Sequence, residues 1–183
     1  MSILDWEKIS SKYLVRAPWA TLRVDTCRMP DGTIITDYYV LEYPDWVNVI
    51  AITDDNQVIL VRQYRHAAGE EILELPGGVI EQGEIPEQAA LRELLEETGY
   101  EFSKIEFLSE LYANPATATN KTHCFLATGG IKTSDQELDR GEEIIVELVS
   151  LPEFKDLVLN NKLGQALHTS GAFYALVKLG LIS

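Results

Sequence analysis

Hydrophobic and polar positions along this chain fall mostly into short β-type segments broken by turn residues, with helical spacing in three places. Residues 19–29 alternate in part and are rich in β-formers, Pro30-Asp31-Gly32 reads as a turn, and residues 33–43 continue as a second strand. Together they predict an N-terminal β-hairpin. Pro44-Asp45 interrupts the pattern, so a boundary is placed there, with residues 1–45 as a β-rich extension and 46–183 as the main domain. Trp46–Thr53 (WVNVIAIT) reads as a buried strand and Asp54-Asp55-Asn56 as a turn. Residues 57–64 form the next strand, with Val58, Leu60 and Arg62 at period two. Residues 71–75 are short and extended, and Pro76-Gly77-Gly78 stops them. Pro86–Thr98 predicts a helix, with Pro near the first turn and Gly99 just past the end. Strands at 105–112 and 122–127 flank a loop, and an acidic loop precedes a strand at 144–149. Leu151-Pro152 opens a short helix, and residues 164–179 form a last one. Strands interleaved with three helices predict an α/β fold, a mixed sheet covered on both faces in an α/β/α sandwich.

Composition narrows the functional classes. A 183-residue chain with 46% hydrophobic and 24% charged residues fits one globular domain plus a small extension. The formal net charge of -14 argues against non-specific binding to nucleic acid or to an anionic membrane, since both need a basic footprint. No apolar run is long enough to span a bilayer, and the acidic first residues do not resemble a signal peptide. Cys27 and Cys124 lie far apart and outside any zinc-type cluster, which fits two reduced thiols. The expectation is a cytoplasmic protein. In so acidic a chain something other than the overall field must attract a phosphate compound, and a divalent cation held by surplus carboxylates would do so.

The helix at Pro86–Thr98 offers such carboxylates. Leu91, Leu94 and Leu95 form an apolar stripe, and Arg92, Glu93, Glu96 and Glu97 occupy the remaining surface. Glu93 and Glu97 are four residues apart, so their Cβ atoms stand about 5–6 Å from one another. Like charges at that spacing destabilise a helix, and acids in the last turn oppose its dipole. An acidic run on a helix is usually solvated surface, and Arg92 could simply pair with Glu96. Gly77-Gly78, Gly83 and Glu84 just upstream shift the balance toward a site.

The spacing Gly78-(five residues)-Glu84-(seven residues)-Arg92-Glu93-Leu94-Leu95-Glu96-Glu97-Thr98-Gly99 resembles the Nudix box. The departure is the closing aliphatic position, which is Tyr100 here. The resemblance implies a Nudix fold and metal-dependent hydrolysis of a diphosphate. It implies Glu93 and Glu97 as the main ligands of Mg²⁺, with Mn²⁺ as a possible substitute. Glu96 would lie nearby, the Gly77 carbonyl would complete the site, and Glu84 would act as a second-layer or water-mediated ligand. Arg92 would orient the acids.

Three further features resemble the ADP-ribose pyrophosphatase branch. Pro115 lies 16 residues after Gly99, although Asn114-Pro115 is also an ordinary turn signal. Arg62-Gln63-Tyr64-Arg65 ends a strand; its last Arg would bind the diphosphate, where a guanidinium suits bidentate contact, and Arg62 is a second substrate-binding candidate, with a surface strand end as the equal alternative. Glu142 or Glu143, in the acidic loop with Asp139, would be the general base. The extension would complete a base pocket and build a homodimer. Trp19, Tyr38, Tyr39, Tyr43 and Trp46 are aromatic candidates for that pocket, and Trp46 is placed in the substrate site. The expected substrate is a nucleoside diphosphate sugar, ADP-ribose first, giving AMP and ribose 5-phosphate. GDP-mannose or ADP-glucose is the alternative, and a non-catalytic ADP-ribose sensor is the distant one.

Overall fold

A computed structural model describes residues 3–182. Its elements in chain order are β1 (Glu7–Ala17), β2 (Ala20–Arg28), β3 (Ile34–Glu42), β4 (Trp46–Thr53), β5 (Gln57–Arg65), β6 (Glu70–Glu74), α1 (Pro86–Thr98), β7 (Tyr100–Tyr112), β8 (Lys121–Lys132), β9 (Ile144–Ser150), α2 (Leu151–Leu159) and α3 (Ala166–Lys178). They form two units. One comprises the chain up to Pro44 together with Tyr112–Lys121, and the other comprises Asp45–Leu111 and the chain from Thr122 onward.

The first unit is a three-stranded antiparallel sheet in the order β1-β2-β3. The expected hairpin is β2-β3, and β1 is a strand that the residue pattern does not predict. That strand is exposed along its whole length, so it carries none of the inside-outside alternation that marks a half-buried strand. Register shifts in β1 near Lys8–Ser10 and Tyr13–Val15 blur its period further. Buried Asp25 is satisfied by the Ser11 hydroxyl at 2.5 Å and by Arg23 Nε at 3.0 Å. Tyr112–Lys121 packs on β3: Leu41 N–H donates to the Thr117 carbonyl at 2.7 Å, and the Tyr38 hydroxyl donates to the Ala116 carbonyl at 2.9 Å.

The second unit is built on a six-stranded mixed sheet. Its order is β6-β5-β4-β8-β7, with β9 also paired to β5. β4 and β8 are parallel, and β5 is antiparallel to β4, β6 and β9. β4 is an apolar run because both of its faces are covered. Val47, Val49 and Ala51 pack with Ala89, Ala90 and Leu94 of α1. Ile50 and Ile52 pack on the other side with Phe154 and Val158 of α2 and with Ala172, Ala175 and Leu176 of α3. This is the expected α/β/α layering. β7 and β8 are longer than their sequence signals, because their polar ends continue the ladder beyond the apolar stretches. No helix among the described residues is long and apolar enough to cross a membrane.

Candidate active site

Pro86 opens α1 where a missing N–H costs nothing, and Gly99 closes it in the left-handed conformation with its N–H on the Leu95 carbonyl at 2.8 Å. The face that α1 turns to the sheet differs from the expected leucine stripe. Ala89, Ala90, Leu94, Glu97 and Thr98 are buried, while Leu91 and Leu95 are half-buried. Two alanines let the helix approach β4 closely, and that places Glu97 in the interface rather than on the surface, at 4% exposure. Tyr100 fills the last position of the box by packing against this same core.

Glu97 is received by the loop after β6. Its Oε2 accepts the Gly77 N–H at 2.8 Å. Gly77 has φ of 150°, and a Cβ there would collide with the Val47 carbonyl. A Cβ on Gly78 would stand 2.5 Å from the Glu93 carboxylate. The two glycines therefore let backbone reach two carboxylates of α1 at once.

Arg92 ties the other acids together. Its Nε and Nη2 each donate to Glu84 at 3.0 Å, Nη1 donates to Glu93 at 2.8 Å and Glu96 at 2.9 Å, and Nη2 also reaches the Val79 carbonyl at 2.9 Å. A guanidinium has five N–H donors, so none remains for a substrate. Arg92 is a positioning residue in this arrangement. Its hydrogen bonds hold Glu84 below the ordinary carboxylate range.

Burial acts in the opposite direction on the inner acids. It pushes Glu97 up to about 8, helped by the nearby charges of Glu93 and Glu142. Burial also raises Glu93, against the pull of Arg92 and with Glu96 and Glu142 adding to the rise. The charge of Glu142 thus acts on both inner acids. Glu142 sits in a tight turn, its carboxylate accepting the Asp139 N–H at 3.0 Å.

The loop that carries Glu142 is docked on the end of α1. Thr133 and Ser134 donate their N–H groups to the Gly99 carbonyl, Glu137 N–H donates to the Glu96 carbonyl, and the Gln136 amide donates to the carbonyls of Glu97 and Ile144. Carbonyls at a helix end need partners, and these donors also offset the acids that crowd the negative end of the dipole. Gln136 was not anticipated, because its partners are remote carbonyls that leave no local pattern.

Arg62 and Arg65 lie on opposite faces of β5, as period two requires. Arg62 is engaged by Glu147 of β9 at 2.5 Å. Arg65 is held by Glu74, and its charge lowers the proton affinity of Glu97. Trp46 starts β4, half-buried, with its backbone paired to Thr122 and Val79. Pro115 belongs to the first unit, exposed in a turn where the Thr117 and Ala118 N–H groups donate to the Asn114 carbonyl. Trp19 and Tyr39 are also exposed there.

Among the described residues, no three His, Cys, Asp or Glu side chains already converge as metal ligands do. Arg92 and the Gly77 N–H hold the acids instead. The donor set nevertheless suits a hard divalent cation, which takes oxygen ligands. Glu93 and Glu97 are the carboxylates that burial drives toward the protonated form, and a bound cation would keep them ionised.

Comparison with known proteins places the chain in a family. The NUDIX domain model matches residues 42–169, and the nucleoside diphosphate sugar hydrolase N-terminal domain model matches residues 6–41. The ADP-ribose pyrophosphatase of Bacillus subtilis (strain 168) is 33% identical over 159 residues, covering 86% of this chain and 85% of that protein. The methanol dehydrogenase activator of Bacillus methanolicus is 36% identical over 130 residues, covering 71% of this chain and 69% of that protein. A solved structure described as an ADP compounds hydrolase shares the fold, with a TM-score of 0.85 over 100% of both chains at 23% identity. With the NUDIX domain model matching most of its length and a relative 33% identical over 86% of it, the chain belongs to the Nudix family.

Proposed function

We propose that this protein hydrolyses the diphosphate of a nucleoside diphosphate sugar, with ADP-ribose as its substrate and AMP and ribose 5-phosphate as products. The observation that carries the reading is the acidic helix α1, where the Gly77 N–H holds Glu97 at 2.8 Å and Arg92 holds Glu93, Glu96 and the upstream Glu84. Glu93 and Glu97, with Glu96 and the Gly77 carbonyl nearby, would hold a Mg²⁺ ion, or Mn²⁺ in its place, which would supply neutralising charge to the diphosphate oxygens. Arg65 binds the diphosphate and orients it. Arg92, with all its donors engaged, fixes Glu84, Glu93 and Glu96. Glu142 takes a proton from the attacking water as a new P–O bond forms and the bridging P–O bond breaks. The leaving phosphate departs with the bridging oxygen. Of the two loop candidates the base is assigned to Glu142 rather than Glu143, and Arg62, paired with Glu147, serves the β5–β9 contact.

The ADP-ribose pyrophosphatase relative and the match of residues 6–41 to a nucleoside diphosphate sugar hydrolase domain support this substrate class. Exposed Ile9, Tyr13, Leu14 and Val15 on the edge strand β1 support association with a second copy through the first unit. Light scattering at micromolar concentration reads a dimer mass if so, and a monomer removes that part of the reading.

The test is hydrolysis of ADP-ribose, GDP-mannose, UDP-glucose and NADH, each with Mg²⁺ and with Mn²⁺, followed by chromatography of the nucleotide product. Fastest release of AMP from ADP-ribose is expected. Preference for GDP-mannose would move the substrate within the class, and no turnover of any of the four would overturn the reading.

A further inference from the structure

Glu74 is a carboxylate that the proposed chemistry does not use, and it is only 1% exposed. A charge buried to this degree requires a partner. Glu74 receives Arg65 Nε at 3.1 Å and Nη2 at 2.6 Å, and the Gln63 amide at 3.2 Å. The strand register brings this about. Glu74 stands opposite Val61, and Gln63 and Arg65 follow Val61 on the same face of β5.

The pair is asymmetric. The Glu74 side chain is 2% exposed and that of Arg65 is 43% exposed. The guanidinium is gripped from within along its Nε–Nη2 edge, and no described residue accepts a hydrogen bond from Nη1. β6 also runs straight from this grip into the acid-binding loop: Leu75 N–H donates to His168 Nδ1 at 3.1 Å, and Gly77 N–H donates to Glu97. One short stretch of backbone therefore sets the place of both the arginine and the inner acids.

We propose that Glu74 is a positioning residue that holds Arg65 so that its remaining donors meet the diphosphate of the substrate beside Glu93 and Glu97. This rests on the function proposed above. A fixed fork loses less freedom on binding than a mobile one, so the effect falls on substrate affinity.

The test compares E74Q, R65A, R65K and the R65A/E74Q double variant for kinetics with ADP-ribose and Mg²⁺ and for thermal unfolding. E74Q keeps the shape but cannot offer two anionic acceptors to the fork. Its KM for ADP-ribose is expected to rise roughly tenfold, with kcat falling far less. The double variant should be no worse than R65A, because Glu74 acts only through Arg65. R65K keeps the charge without the fork and should show the same rise in KM with an unchanged unfolding midpoint. Should E74Q fail to fold, R65K carries the test alone. A KM within about twofold of wild type for either variant, or losses in the double variant that add, would overturn the role of Glu74. Wild-type turnover reports separately on the proposed function: with the wild type active, such results remove Glu74 alone, whereas an inactive wild type removes both.

Discussion

Glu97 Oε2 and the Gly77 N–H meet at 2.8 Å, joining the last turn of α1 to the loop after β6. Burial pushes this carboxylate up to about 8, so the fold tolerates its charge rather than depending on it. Glu97→Gln keeps an acceptor for Gly77 and removes the buried charge. Metal-dependent turnover of ADP-ribose should fall on the order of 10²-fold or more, while the thermal midpoint stays level or rises. Assays at saturating Mg²⁺, paired with a melting curve, check both. Unchanged activity would remove Glu97 from the site.

Glu142 and Glu143 are neighbours in sequence, and the charge of Glu142 reaches Glu93 and Glu97. Glu142→Gln should lower kcat by about 10²–10⁴-fold, the range of a lost general base, and flatten the acidic limb of the pH–rate profile. Glu143→Gln should stay near wild type. The reverse order would exchange their roles.

Gly78 has no room for a methyl group, since its Cβ would stand 2.5 Å from the Glu93 carboxylate. Gly78→Ala should push Glu93 away from the loop and raise the Mg²⁺ concentration needed for half-maximal activity. Stability should change by about 1 kcal/mol, because a side-chain carboxylate moves more cheaply than backbone. A metal titration of the variant reads the shift, and an unshifted titration would contradict the contact.

His168 accepts the Leu75 N–H through Nδ1 and is almost fully buried, and burial lowers its proton affinity to about 3, with Arg65 adding to the effect. Unfolded, it would take up a proton near its ordinary value of 6.5. Between these values the unfolded chain binds more protons. The contribution of His168 is therefore complete above pH 6.5 and declines as pH falls toward 3. Urea unfolding of wild type and His168→Gln from pH 7.5 to 4.5 should show the difference between them shrinking by about 1.4 kcal/mol per pH unit below the upper value. Parallel curves would mean that His168 is not neutral in the fold.

Some of this was legible in the residues. Trp46–Thr53 and Pro86–Thr98 stand where the apolar run, Pro86 and Gly99 placed them, because local chemistry alone sets those boundaries. The box brought Glu84, Arg92, Glu93 and Glu96 into one network because most of them share a helix, while Glu97 is held apart from it by the Gly77 N–H. What escaped is nonlocal. β1 has no buried face to give it a pattern. The burial of Glu97 depends on two alanines docking on β4. The grip of Glu74 on Arg65 depends on a strand register that neither residue announces.

The loop docked on the end of α1 also divides the molecule's capacity for change. Thr133, Ser134, Gln136 and Glu137 anchor one side of it, and the Ile144 carbonyl, bound to Gln136, anchors the other. Between these moorings, residues 138–143 form an exposed or half-exposed arc bearing Glu142. Lengthening or shortening that arc would re-aim one carboxylate while the helix end stays capped. Evolution can thus alter which bond is presented to the base without rebuilding the acids that hold the metal.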